Sequence, residues 1–185
     1  FLEVVARVSR KTGKKLRAFI VGDGEERDRL QQLTRDLGMS QAMGPIFNGH
    51  GFGYGVNGKP MVASATVTFT SWIKEVDIVN AGVDIIMLTS LNEGTPVSLI
   101  EAQASNRPVI STRVGGIENV VLPGQTALLS EAGDTDNLTR QLTELVESAE
   151  MRTRMGAGGW VHVRDKYHYA RLVEDTADLY RSLLS

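Results

Sequence analysis

Short apolar runs, each followed by a glycine-containing turn and a helical stripe, set the narrowest limit on how this chain can fold. Residues 16–21, LRAFIV, form one such run, followed by Gly22-Asp23-Gly24. Next, EERDRLQQLTRDLG has acids in its first turn, Leu30, Leu33 and Leu37 on one face, and Gly38 as a C-terminal stop. Strand, glycine turn and helix in that order are half of a parallel βαβ unit, because parallel neighbours need a long crossover. The rhythm returns further on. ATVTF (65–69) reads as a strand, KEVDIVNAG (74–82) as a short helix and VDIIML (83–88) as a buried strand. Residues 96–105 read as a helix, RPVIST (107–112) as a strand, GGIENVV as a turn and short helix, and TALLS (126–130) as a last strand. Asp134 or Thr135 caps a helix that runs to 148, and two further helices start near 151 and 169. This alternation predicts an α/β fold, an open, doubly wound parallel sheet of Rossmann-like type.

The 185 residues suit one domain, with two as a stretch, and are enough to bury a substantial core. At the start, Leu2, Val5 and Val8 form a helical stripe that stops at Gly13. If that helix is a crossover, a strand precedes it, and in a sheet of order 3-2-1-4-5-6 this strand is central. The expectation is therefore a chain given without its first strand. Residues 41–64 break the rhythm: they are glycine-rich, contain Phe47, Phe52 and Tyr54, and exceed an ordinary αβ loop. They read as an insertion loop, with an aromatic lid as the sharper alternative.

Composition removes whole classes of chemistry. No cysteine is present, so disulfides, thiolate catalysis and Cys-based metal sites are out. The histidines, His50, His162 and His168, show no metal-ligand spacing. A net charge of -2 with both signs interspersed argues against nucleic acid as the main partner. An apolar share of 42 % and a mean hydropathy of -0.11 fit a globular chain with no bilayer-length run. The locally basic stretch 152–171 reads as a solvated helix face, with a membrane-surface role left open.

Ligands of open α/β sheets bind beyond the carboxyl ends of the strands. Two loops there carry suggestive residues. Gly22 and Gly24 let the backbone approach a ligand closely, although a plain tight turn explains them as well. In LNEGTPVSLIEAQAS, Thr95 reads as a helix cap and Pro96 as the first helical position, which leaves the amides of Val97 and Ser98 free for an anion such as a diphosphate. Val97, Ile100 and Ala104 are expected to form the buried stripe, with Ser98, Glu101 and Ser105 on a polar one beside it. Glu101 is then placed to accept two hydroxyl hydrogen bonds from a ribose, and Glu93 to do the same for a second polyol. The alternative makes Glu101 a surface acid and Glu93 a turn residue.

EGTPVSLIE resembles the E-x7-E motif of retaining nucleotide-sugar glycosyltransferases of the two-Rossmann-domain B type, the large family 4 (group 1) set. The likeness extends through FIVGDGEERDRLQQLTRDLGM, FTSWIKEVDIVNAGVDIIMLTS, RPVISTRVGGIENVVLPGQTALL and the C-terminal tail, over most of the chain except 41–64. It implies a C-terminal donor-binding domain. By the same resemblance Glu101 holds the nucleotide ribose and Glu93 contacts donor-sugar hydroxyls, which makes Glu93 the catalytic residue in the sense of orienting the sugar. Gly94, Thr95, Val97 and Ser98 hold sugar and phosphates, Gly22 and Gly24 border the diphosphate, and Trp72 and Ile73 flank the base. The implied chemistry transfers a sugar from a UDP- or GDP-linked donor to an acceptor hydroxyl with retention, without a metal or other cofactor. The implied partner is an N-terminal acceptor domain. The implied setting is cytoplasmic polysaccharide biosynthesis, with peripheral membrane contact of the full-length enzyme left open.

Departures from the family pattern are specific. Thr95-Pro96 stands where many relatives have Phe-Gly, and Ser71 where a glycine usually precedes the aromatic. The basic Arg/Lys motif and the acceptor domain lie outside the chain as given. A nucleotide-sugar epimerase of the same architecture and a non-catalytic Rossmann-like binding domain are the two alternative readings. A nicotinamide dehydrogenase fits worse, because the full dinucleotide fingerprint and its ribose acid are not both present.

Overall fold

The computed structural model describes residues 1–43 and 66–184. The reading of an aromatic lid at Phe47, Phe52 and Tyr54 lies outside these residues. The chain divides into two compact units, 1–79 and 80–185. Each contains a three-stranded sheet; the parallel pairing is as the strand–helix alternation predicts, while the described strands form two sheets where one was expected.

The first unit runs α1 (Leu2–Thr12), β1 (Ala18–Val21), α2 (Arg27–Asp36), β2 (Gln41–Met43) and β3 (Val67–Ser71), with α3 (Val76–Gly82) at its end. Its sheet has the order β1-β3-β2. The central strand β3 is buried from Val67 to Thr70, which suits a strand flanked on both sides. Gly13 ends α1 as expected, with φ at 66° and its N–H donating to Ser9 O at 3.0 Å. Val4 and Ala6 are buried along with Leu2, Val5 and Val8, so α1 buries more than the single stripe expected. In α2 it is Thr34 that is buried; Leu30, Leu33 and Leu37 are only half-buried, so the face expected to be core is a margin of it. Strand β2 is a further correction, since its three residues were read as loop. QAM carries too little apolar or β-branched character to announce a strand, and it pairs because β3 lies beside it.

The second unit continues with β4 (Ile86–Leu88), α4 (Val97–Ala104), β5 (Val109–Thr112), α5 (Ile117–Val120), β6 (Ala127–Ser130), α6 (Thr135–Glu147), α7 (Ala149–Val163) and α8 (Tyr169–Leu184). Its sheet order is β4-β5-β6. Every residue of β5 is buried. Strand β4 is an edge of this sheet among the described residues, so its side chains are half-buried rather than buried as expected. The core joins Leu99 and Ala102 of α4 to Val109, Ile117, Val120, Val121 and Ala127. Asp134 caps α6, accepting from Asn137 N at 2.9 Å. At the other end of α6, Arg152 donates to Leu145 O at 2.6 Å, so part of the basic 152–171 stretch closes a helix terminus. Helix α8 has no buried residue among those described.

Just past Ser105, the C-cap of α4, Asn106 has a left-handed φ of 56°. Asn106 N donates to Gln103 O and Arg107 N to Ala102 O, the paired bonds of a Schellman motif. Gly156 of α7 lies against this turn, and a Cβ there would overlap the Asn106 carbonyl. At Gly159 a Cβ would sit 3.1 Å from the Gln103 side chain. Glycine in a helix costs about 1 kcal/mol relative to alanine, and here the two glycines let α7 approach α4 backbone to backbone. Gly156→Ala should lower stability by about 1–3 kcal/mol through overpacking against an immovable carbonyl. By contrast Gly158→Ala, whose Cβ meets Thr126 Cγ2 at 3.6 Å and Gln125 O at 3.7 Å, both ordinary contacts, should be neutral or stabilising by up to about 1 kcal/mol. Urea unfolding of the two variants separates these outcomes.

Candidate functional site

The residues singled out in the sequence fall in loops after the strands of both units and on the helix α4 that follows one of them. In the first unit the turn after β1 contains Gly22, with φ at 121°, and Gly24. A Cβ at either would meet nothing within 4 Å, so both present open backbone faces. Their amides are not free: Gly22 N donates to Ser71 O at 3.0 Å and Gly24 N to Asp23 Oδ1 at 3.0 Å. The Gly24 N–H first, then the Arg27 guanidinium, hold the Asp23 carboxyl below its usual range. After β3, Trp72 is 78 % exposed and Ile73 half-buried.

In the second unit the chain leaves β4, passes Ser90, Glu93, Gly94 and Thr95, and enters α4. The helix begins at Val97, with Pro96 as N-cap and no side-chain cap. The expectation that Thr95 caps the helix and Pro96 opens it is therefore corrected by one position. Pro96 fixes its own φ at −76° with an extended ψ of 93°, and it has no N–H to satisfy. The buried stripe of α4 also differs from the expected one. Leu99, Ala102 and Gln103 are buried, whereas Val97 is 60 % exposed and Ala104 exposed. An eight-residue helix with apolar residues on several faces does not announce its own rotation. Packing on Ile117, Val120 and α7 sets it. Ser98 is exposed, and Glu101 is half-buried as the polar stripe requires. Among the described residues the Glu101 carboxylate has no hydrogen-bond or ion-pair partner. Glu93, by contrast, accepts from Ser90 Oγ at 2.6 Å.

What holds this loop lies one strand further on, and sequence reasoning passed over it as an ordinary turn. Gly116 N donates to both Glu93 O (3.3 Å) and Gly94 O (3.1 Å). A Cβ on Gly115 would overlap the Glu93 carbonyl and one on Gly116 the Gly94 carbonyl, and the φ of Gly115 is 51°. Two hydroxyls of β5 complete the hold: Ser111 Oγ donates to Leu88 O at 3.0 Å and Thr112 Oγ1 to Ser90 O at 2.6 Å. The signals in the sequence were the glycine pair directly after a strand and the Ser-Thr at its end. The Gly94 face remains open, with nothing within 4 Å of a Cβ.

Behind the loop, the carbonyls that end α5 are occupied. Asn119 O accepts from Lys166 Nζ (2.9 Å) and Tyr167 Oη (2.7 Å), and Val120 O from Gln103 Nε2 (2.8 Å). His162 lies in the same region, and among the described residues its buried Nε2 has no hydrogen-bond partner. Burial first, then the Lys166 charge, pushes the His162 pKa below the usual value. The folded chain thus holds this proton less tightly than the unfolded one. Stability should be fully present above the unfolded value of 6.5 and decline as pH falls below it. Denaturation midpoints across pH 5 to 8 should show that slope, and His162→Gln should flatten it.

Among the described residues no group of three or more His, Cys, Asp or Glu could hold a metal ion, and no helix is long and apolar enough to cross a membrane. The family model described as Glycosyl transferases group 1 matches residues 54–148. The lipopolysaccharide core biosynthesis glycosyltransferase LpsE of Rhizobium meliloti is 28 % identical over 159 residues, which is 86 % of this chain and 39 % of LpsE. The chain thus spans about two fifths of that relative. Among solved structures, Anabaena HepE in complex with UDP and glucose superposes with a TM-score of 0.76 at 17 % identity, covering 97 % of this chain and 44 % of HepE. The C-terminal domain of the group 1 glycosyl transferase LpcC of Francisella tularensis gives 0.68 at 19 % identity, covering 90 % and 77 %. These structural likenesses carry the fold.

Gly115→Ala should push the Glu93–Gly94 segment off its support and lower stability by about 2 kcal/mol or more, given a left-handed φ and a backbone clash. Gly94→Ala, with open space around it, should stay within about 1 kcal/mol of the parent in thermal unfolding.

Proposed function

The chain belongs to the glycosyl transferases group 1 family, and from that premise we propose that it is the donor-binding domain of a retaining enzyme. The donor is a nucleoside-diphosphate sugar, and the acceptor is a hydroxyl presented by a second, N-terminal domain. The observation that carries this reading is the Glu93–Glu101 segment. A helix N-terminus without a side-chain cap, an open glycine and a half-buried carboxylate with no partner among the described residues follow one another in a segment held by the hydroxyls of Ser111 and Thr112 and by Gly116 N.

The chemistry follows from the roles of these groups. The first amides of α4, at Val97 and Ser98, meet the diphosphate, where unpaired N–H groups and the helix dipole favour negative charge. Charge that develops on the leaving diphosphate is stabilised by donors already in place, a form of electrostatic catalysis. Glu101 accepts from the two ribose hydroxyls. Glu93, kept in one orientation by Ser90, accepts from donor-sugar hydroxyls and orients the sugar without acting as a nucleophile. Gly94 and Thr95 line the sugar and phosphates. Roles at the diphosphate for Gly22 and Gly24, and at the base for Trp72 and Ile73, follow from the family resemblance alone. Transfer needs no metal, and the site lies in the cytoplasm. HepE was solved with UDP and glucose, which makes UDP the first base to test.

Calorimetric titration with UDP, GDP and ADP should give binding to one diphosphate, unchanged by EDTA. Glu101→Ala should weaken it by about 1.5–3 kcal/mol, the worth of charge-assisted hydroxyl bonds. Binding of none of the three, or equal binding by the variant, would overturn the assignment. Measurable sugar transfer by this chain alone would contradict the need for a second domain.

A further inference from the structure

At the end of β3 the chain does something costly for a residue other than glycine. Ser71 has φ at 62°, a left-handed conformation disfavoured by its Cβ. Several bonds converge on it and on the residue before it. Its carbonyl accepts from Gly22 N at 3.0 Å and its Oγ accepts from Arg27 Nη1 at 2.8 Å. Thr70 Oγ1 lies 2.9 Å from Ser71 O and 3.3 Å from Ile20 O, with one proton to share between them. Arg27 in turn pairs with Asp23 at 3.1 Å, and Asp23 accepts from Gly24 N. The register of β1 against β3 shifts between Ile20 and Val21, where this crossing begins. Strain in the backbone, a register shift and a mostly buried guanidinium (21 % exposed) are therefore gathered at one point. That point joins the turn after β1 to the residue that carries Trp72.

A plain strand end would need none of this. Glycine would relieve the backbone at position 71, but it would also remove the hydroxyl that holds Arg27. We infer that Ser71 is a positioning residue of the nucleotide site, using its hydroxyl and Arg27 to clamp the Gly22–Gly24 turn to the strand end that presents Trp72. This rests on the donor-binding reading above. Trp72 exposes a broad π-face, and an exposed ring stacks usefully on a base only when its backbone is held. Arg27 acts through Ser71 and Asp23 and does not need to touch the ligand.

The test compares Ser71→Ala with Ser71→Gly in the full chain. Both remove the hydroxyl, but only glycine relieves the left-handed strain, so the glycine variant should be the more stable of the two. UDP affinity should fall roughly five- to tenfold in both, as should Arg27→Met, with no further loss in the double variant S71A/R27M. Affinity that follows stability, lost in alanine and restored in glycine, would overturn the inference and leave Ser71 a structural residue. A ligand-free measurement separates this from the parent reading. In Trp160→Phe chains, where Trp72 is the remaining tryptophan, anisotropy decay should show faster local motion of Trp72 in S71A than in the unsubstituted Ser71 chain. Unchanged motion would overturn the clamp. If the parent chain binds no nucleoside diphosphate, the donor-site reading fails, and with it the clamp's role at that site.

Discussion

The second unit depends on a contact that has no side chains in it. Gly115 and Gly116 lie directly against the carbonyls of Glu93 and Gly94, and one amide bonds both. A loop held only by its own side chains would sample many shapes, and ordering it on binding would cost affinity. Here two peptide units meet at a distance that no Cβ permits, so the path from β4 into α4 is set before a ligand arrives. The hydroxyls of Ser111 and Thr112 extend the same hold toward β4.

That contact is braced from the other side. Gln103, fully buried, donates to Leu99 O within α4 and to Val120 O at the end of α5. Gly159 makes room for the Gln103 side chain, while Gly156 makes room for the turn that ends α4. Lys166 and Tyr167 close Asn119 O. The helix that carries Glu101 and the short helix that follows the glycine pair are thus tied to one another, and the former packs on α7. Among the described residues the Glu101 carboxylate has no partner.

Much of the fold could be read along the chain, because strand–turn–helix units are written in local periods. The stop at Gly13, the cap at Asp134 and the placement of Glu93 and Glu101 around a helix entrance all follow from neighbours within a few residues. The features missed are those set by distant partners. Strand β2 exists because β3 pairs with it, and the inward face of α4 is chosen by Ile117, Val120 and α7. The glycine pair after β5 reads as a turn until the Glu93 carbonyl is seen against it. Likewise nothing local distinguishes Gly156, which abuts a carbonyl, from Gly158, which does not. Ser71 departs from the family's glycine in the sequence, but only its positive φ and its bond to Arg27 show what the departure brings.

The most direct measurement is amide hydrogen exchange of the chain with and without UDP, read residue by residue from Glu93 to Glu101. The account predicts marked slowing at Gly94, Val97 and Ser98 on binding, because these amides would gain phosphate partners. Binding of UDP that leaves those three amides unchanged, with protection elsewhere in the chain, would contradict it.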